Sequence, residues 1–131
     1  MQTLVEMVRG VLRRYPDVRL CIIFGSALSG KTSPESDLDV AVAADQPLTA
    51  DRRLELTEAF SAAANREVDL VDLMAVSGPI LRQALSKGVV VTNRDKDLYA
   101  RLISRMLFNQ ADMMPYYDRI LRERRTRFLN G

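Results

Sequence analysis

Val18-Arg19-Leu20-Cys21-Ile22-Ile23-Phe24-Gly25-Ser26, ten further residues, then Asp37-Leu38-Asp39-Val40-Ala41-Val42: the reading of the whole chain turns on this stretch. Val18 to Phe24 is short, apolar and β-branched, the composition of a well-buried strand. Gly25-Ser26 stops it. Residues 27 to 36 carry loop signals, including Gly30 and Ser33-Pro34, and leave room for at most one helical turn. Leu38 to Val42 takes up the alternation of apolar and acidic side chains and reads as a second strand.

Outward from this pair, the periodicity turns helical. Leu4, Val5, Met7, Val8, Val11 and Leu12 recur at helical intervals and predict an amphipathic helix ending near Tyr15-Pro16. Asp51 to Ala64 carries Leu54, Leu56, Ala59, Phe60 and Ala63 and predicts a second helix, with Thr49 as its cap. Glu67 to Leu73 alternates again and predicts a third strand. Ser77-Gly78-Pro79 opens a helix through Leu85 that Gly88 ends, and Val89-Val90-Val91 follows as a short fourth strand. From Asp97 to about Phe128 the pattern is helical, interrupted by Pro115. No repeat or linker divides the chain. The expected class is α/β (α+β): a small mixed sheet of about four strands flanked by helices, with a C-terminal helical arm.

Composition removes several kinds of chemistry. The chain has 131 residues, 47% of them hydrophobic and 27% charged, enough apolar mass for one ordinary domain. A net charge of +2 does not announce a nucleic-acid binder, and nucleic acid is not expected as a partner. No apolar run is long enough to cross a membrane, and the first residues show helical spacing with Glu6 inside it, unlike a signal peptide. A cytoplasmic location is expected. Cys21 is the single cysteine, set among apolar neighbours, and reads as a buried, inert thiol. The chain contains no histidine, which excludes Ser-His-Asp and Cys-His catalysis and any His-ligated zinc. Carboxylates with a hard metal are the chemistry left.

Asp37 and Asp39 are two apart on a strand, so both project from one face with backbone positions roughly 6–7 Å apart. Carboxylates that close repel each other, and a divalent cation removes the penalty. Two metals held by shared carboxylates are a standard device for activating an attacking oxygen and stabilising a leaving phosphate. Gly25 lets the backbone turn sharply and approach a ligand. Amides after it, with the Ser26 hydroxyl, can face phosphate oxygens. Asp37 and Asp39 alone would ordinarily be a solvated strand face, and Gly25-Ser26 alone an ordinary turn. Their pairing at a fixed distance lifts both.

Gly25-Ser26, ten residues, Asp37-x-Asp39 resembles the signature of the nucleotidyltransferase superfamily of DNA polymerase beta and kanamycin nucleotidyltransferase. The resemblance implies the nucleotidyltransferase fold over residues 1–95, with residues 96–131 a helical arm of the same single domain. It also implies a third carboxylate on a neighbouring strand, placed at Asp69. The residues themselves leave a choice, since Asp69 and Asp72 lie on opposite faces of a regular strand and Glu67 shares a face with Asp69. Asp69 is preferred because it sits mid-strand, and Asp72 is read as a strand-end surface residue. Catalysis and metal binding are thus expected at Asp37, Asp39 and Asp69, and nucleotide binding at Gly25, Ser26 and Lys31. Many relatives carry arginines in the turn after Gly-Ser. Here Ala27 and Ser29 stand in those places, and Lys31 is the candidate replacement.

The small size is similar to the minimal nucleotidyltransferases of MntA-type antitoxins, encoded beside HEPN toxins. That resemblance implies AMP transfer from ATP to a tyrosine hydroxyl of the toxin, with two Mg²⁺ ions for which Mn²⁺ can substitute. Two other readings stand beside it: a non-catalytic module that occludes its partner, and a small-molecule transferase of the aminoglycoside-modifying kind. Intact Asp37, Asp39 and Asp69 favour an enzyme, and the missing second domain disfavours the small-molecule reading, although a homo-oligomer could build one. Met106, Leu107, Phe108, Met113, Met114, Tyr116, Tyr117, Ile120 and Leu121 exceed what this chain readily buries, so a partner surface is weighed equally with core. The arginines at 119, 122, 124, 125 and 127 read by default as a solvated helix face.

Overall fold

Helix α1 (Leu4–Leu12) starts where Thr3 can cap it: the Thr3 hydroxyl accepts the Glu6 amide at 3.2 Å. The computed structural model describes residues 3–25 and 37–112. Val8, Val11 and Leu12 form the buried stripe of α1. Beyond Leu12 the chain tightens into i→i−3 bonds, Arg14 to Val11 and Tyr15 to Leu12, as Pro16 prevents further helix.

Strands β1 (Val18–Phe24) and β2 (Leu38–Ala44) pair antiparallel. Helix α2 (Ala50–Ala64) then crosses over to β3 (Val68–Asp72), which lies parallel to β2. The Thr49 hydroxyl accepts the Arg52 amide at 3.1 Å, as expected of a cap, and Asn65 ends α2 in the left-handed region at φ 54°. Helix α3 (Pro79–Lys87), strand β4 (Val89–Asn93) and helix α4 (Lys96–Asp112) complete the described chain. The sheet order is β3-β2-β1-β4, a mixed four-stranded sheet of the expected kind.

Each face of the sheet carries its own helices. Val8, Leu12, Leu56 and Phe60 of α1 and α2 pack on Cys21, Ile23, Val40, Val42 and Leu70. Leu81, Ala84 and Leu85 of α3, with Leu98 and Leu102 of α4, pack on Leu20, Ile22, Phe24, Ala41 and Ala43. Central strands covered on both sides need apolar residues at nearly every position, which is why β1 reads as a continuous apolar run. Truncating fully buried Phe60 to alanine would cost about 3–5 kcal/mol. Cys21 is buried, and desolvation pushes its thiol up, in keeping with an inert core group.

Gly88 departs from the usual helix-ending role. Its φ is −79°, so no left-handed geometry demands glycine. A Cβ there would instead run into the Ile22 side chain and the Ala84 and Ile23 carbonyls. Gly88 is needed for the close approach of the end of α3 to β1.

Candidate active site

Three expected site residues are brought together by strand register. Phe24, next to Gly25, stands opposite Asp39 across β1 and β2. Asp39 in turn stands opposite Asp69 across the parallel β2–β3 pair. Neighbouring strands lie about 4.8 Å apart, so the Asp39 and Asp69 side chains are adjacent on one face. Asp39 lies two positions before Ala41, which packs under α3 and α4, so the carboxylates belong to that face. Asp37 lies immediately before β2, on the same side as Asp39 by the strand period.

Gly25 follows β1 with φ 85°, a conformation that favours glycine. A Cβ on it would overlap the Asp39 carboxylate, so absence of a side chain is what lets the turn and the acid lie against each other. Ser26 and Lys31 lie outside the described residues, as does the chain beyond residue 112.

The electrostatics follow from this crowding. Asp39 is half-buried, whereas Asp37 and Asp69 are exposed. Burial first, then the negative charges of Asp69 and Asp37, push the Asp39 carboxyl above the ordinary aspartate range. Among the described residues no three acidic, histidine or cysteine side chains are gathered tightly enough to hold a metal ion as they stand. The three aspartates are close neighbours rather than a closed cage. Their donors are hard oxygens with no sulfur or imidazole among them, a set that suits Mg²⁺ or Mn²⁺. Carboxylates held at this spacing favour a shared cation over either remaining alone.

Asp72 corrects the sequence reading. It is not a surface residue: it is 4% exposed, and its carboxylate accepts the Leu48 amide and the Met74 amide, each at 2.9 Å. Strand periodicity assigns it a face but cannot show that the loops before α2 and after β3 fold over that face and supply donors. Asp69 does not owe its distinction to a mid-strand position. It is exposed on an edge strand, and what singles it out is its place opposite Asp39.

A surface recess among Asp17, Ala44, Pro47, Leu48 and Arg52 lies at the opposite end of β2 from Asp39. Its charged groups are already engaged, Arg52 with Asp17 and Asp45 with Arg19.

The sequence profile described as "Polymerase beta, Nucleotidyltransferase" matches residues 6–97. The chain belongs to the polymerase beta nucleotidyltransferase family. Within that family it is 32% identical over 109 residues to the protein adenylyltransferase MntA of Shewanella oneidensis, covering 81% of this chain and 78% of MntA. A chain from the crystal structure of a toxin–antitoxin with AMP-PNP superposes with a TM-score of 0.70 at 28% identity, spanning 89% of this chain and 98% of the other. A chain from the tri-AMPylated Shewanella oneidensis HEPN toxin in complex with MNT antitoxin gives a TM-score of 0.66 at 29% identity, with 90% and 96% covered. These matches span 81%, 89% and 90% of this chain. No described helix is long and apolar enough to cross a membrane.

Proposed function

We propose that this chain is a Mg²⁺-dependent adenylyltransferase that moves AMP from ATP onto a hydroxyl, a tyrosine in the first instance, of a HEPN-type toxin encoded beside it. It thereby acts as the antitoxin of the pair, in the cytoplasm. The observation that carries the reading is the placement of Asp39: opposite Asp69, and pressed against the Gly25 turn. The 32% identity to a protein adenylyltransferase supports a protein acceptor over a small molecule.

Asp37 and Asp39 would hold two ions jointly, with Asp69 completing the site on the acceptor side. When bound, the ions would neutralise the triphosphate and lower the pKa of the acceptor hydroxyl. Gly25 and Ser26 would bring backbone amides and a hydroxyl to the phosphates, with Lys31 adding positive charge. The acceptor oxygen attacks the α-phosphorus, the bond from that phosphorus to the bridging oxygen breaks, and pyrophosphate leaves. Asp69 takes the proton of the acceptor hydroxyl or passes it to water. Residues 1–95 would supply this chemistry, and helix α4 belongs to the same unit, its Leu98 and Leu102 sharing the core of α3.

The test is transfer of label from α-labelled ATP to the toxin encoded by the neighbouring gene, in Mg²⁺ and in EDTA. Label on the toxin that requires the metal, and that Asp39→Asn abolishes, is the expected result. Equal ATP binding with and without metal would sink the site.

A further inference from the structure

The row of the sheet that carries the acids ends, at its other edge, beside a cationic residue. Strands β1 and β4 pair with Ile22 opposite Val90 and Ile23 opposite Val89. One step further along this register, Gly88 comes beside Phe24, and its close contact with Ile22 and the Ile23 carbonyl holds it there. Phe24 is opposite Asp39, and Asp39 is opposite Asp69. Asp69, Asp39, Phe24 and Gly88 therefore make one row across the sheet, with Gly25 just beyond Phe24. Helix α3 packs through Ala84 on the face of Phe24, to which Asp39 belongs, and ends with Lys87 directly before Gly88 at the end of this row. Lys87 is exposed, and its ammonium makes no hydrogen bond or ion pair with another described residue.

We infer that Lys87 is a triphosphate-binding residue, taking the β- and γ-phosphates of the nucleotide whose α-phosphate lies at Asp39. This rests on the reading of Asp37, Asp39 and Asp69 as the Mg·ATP site. The span from β2 to β4 is about 10 Å, two strand spacings. A triphosphate anchored at Asp39 and crossing the Gly25 turn, met by the flexible four-carbon stem of a lysine, covers that distance. The charge balance points the same way. Even with two divalent ions bound, three carboxylates and a tetraanionic triphosphate leave net negative charge, and the sequence between Gly25 and Asp37 supplies one cation, Lys31. Lys87 puts a positive charge beside the departing pyrophosphate without adding one to the turn itself. Its position in the last turn of α3 also suits the helix dipole, a purely local role that predicts an effect on stability and none on nucleotide affinity.

The experiment is calorimetric titration of the full chain with Mg·AMP-PNP, using wild type, Lys87→Ala and Lys87→Arg, with a nucleotide-free melting curve for each. Lys87→Ala should bind about tenfold more weakly or worse, the loss expected of one charge-assisted contact. Lys87→Arg should return to within about threefold of wild type, since it keeps the charge. The melting temperatures should agree. Lys87→Ala binding as tightly as wild type, or a loss that arginine does not restore, overturns the assignment of Lys87 while leaving the carboxylate site standing. A folded wild type that fails to bind Mg·AMP-PNP overturns the site reading beneath it.

Discussion

Asp39 is the residue on which geometry and charge converge, and its raised pKa makes a signed prediction. Its carboxyl holds a proton more tightly in the folded chain than in the unfolded one. Between the ordinary aspartate value and that raised value, the folded chain binds more protons, so stability falls as pH rises through this window. Above the window the ionised carboxylate is a standing destabilisation. In metal-free buffer, Asp39→Asn should therefore melt higher than wild type at pH 7, with the gap closing as pH falls toward 4. Melting curves in EDTA measure this, and a variant less stable than wild type at pH 7 would contradict it. Gly25 is the complementary case. Gly25→Ala must adopt φ 85° with a Cβ and must displace the Asp39 carboxylate, for a cost of roughly 1–3 kcal/mol from the backbone alone. Denaturant unfolding should show that loss, and metal-dependent nucleotide binding should fall with it.

At the scale of elements, acids of one short strand do different work. Asp72, at the end of β3, ties the loop entering α2 to the loop leaving β3 through Leu48 and Met74. Asp72→Ala leaves two amides without their acceptor and should cost roughly 2–4 kcal/mol. Asp69→Ala, at an exposed position, should cost little stability and should remove transfer activity. A double comparison by urea melts and label transfer separates the structural acid from the chemical one, and equal effects of the two substitutions on stability would refute the division. Another long-range tie was hidden from the sequence. Arg94, after β4, donates to the Leu12, Tyr15 and Val18 carbonyls, all at 2.9 Å, and so closes the end of α1 onto β1. Helix α4 is anchored in a similar way, with Arg105 donating to the carbonyls of Leu73 and Val76.

For the whole molecule, the question is where a partner would sit. Helix α4 buries Leu98 and Leu102 but leaves Leu107 and Phe108 at 53% and 62% exposed, and Met106 only partly covered. Large apolar side chains left outside, just ahead of a Met- and Tyr-bearing stretch, are what an interface presents. A small transferase offers little surface of its own to orient an acceptor, so a docked protein would have to supply the positioning. Deleting residues 112 to 131 should abolish labelling of the toxin while sparing Mg·AMP-PNP binding. Full-rate labelling by the shortened chain would show the arm to be dispensable.

Local and short-range patterns were legible in the sequence. The apolar run of β1, the Thr49 cap, the Pro79 start and the Gly25–Asp37–Asp39 spacing each concern residues whose physical requirement is met by near neighbours. Periodicity likewise placed Asp37 and Asp39 on one face, because a strand's alternation is fixed by the backbone. The tertiary structure alone decided which strand lies beside which. What sets Asp69 apart is that it stands opposite Asp39 on a parallel neighbour, which its position within β3 does not reveal. Asp72 is buried because two loops close over it. Lys87 reaches the row of the site only because Gly88 lets α3 end against β1. Such pairings join residues tens of positions apart, and no local propensity encodes them: they are fixed when burying both faces of one sheet selects a single register.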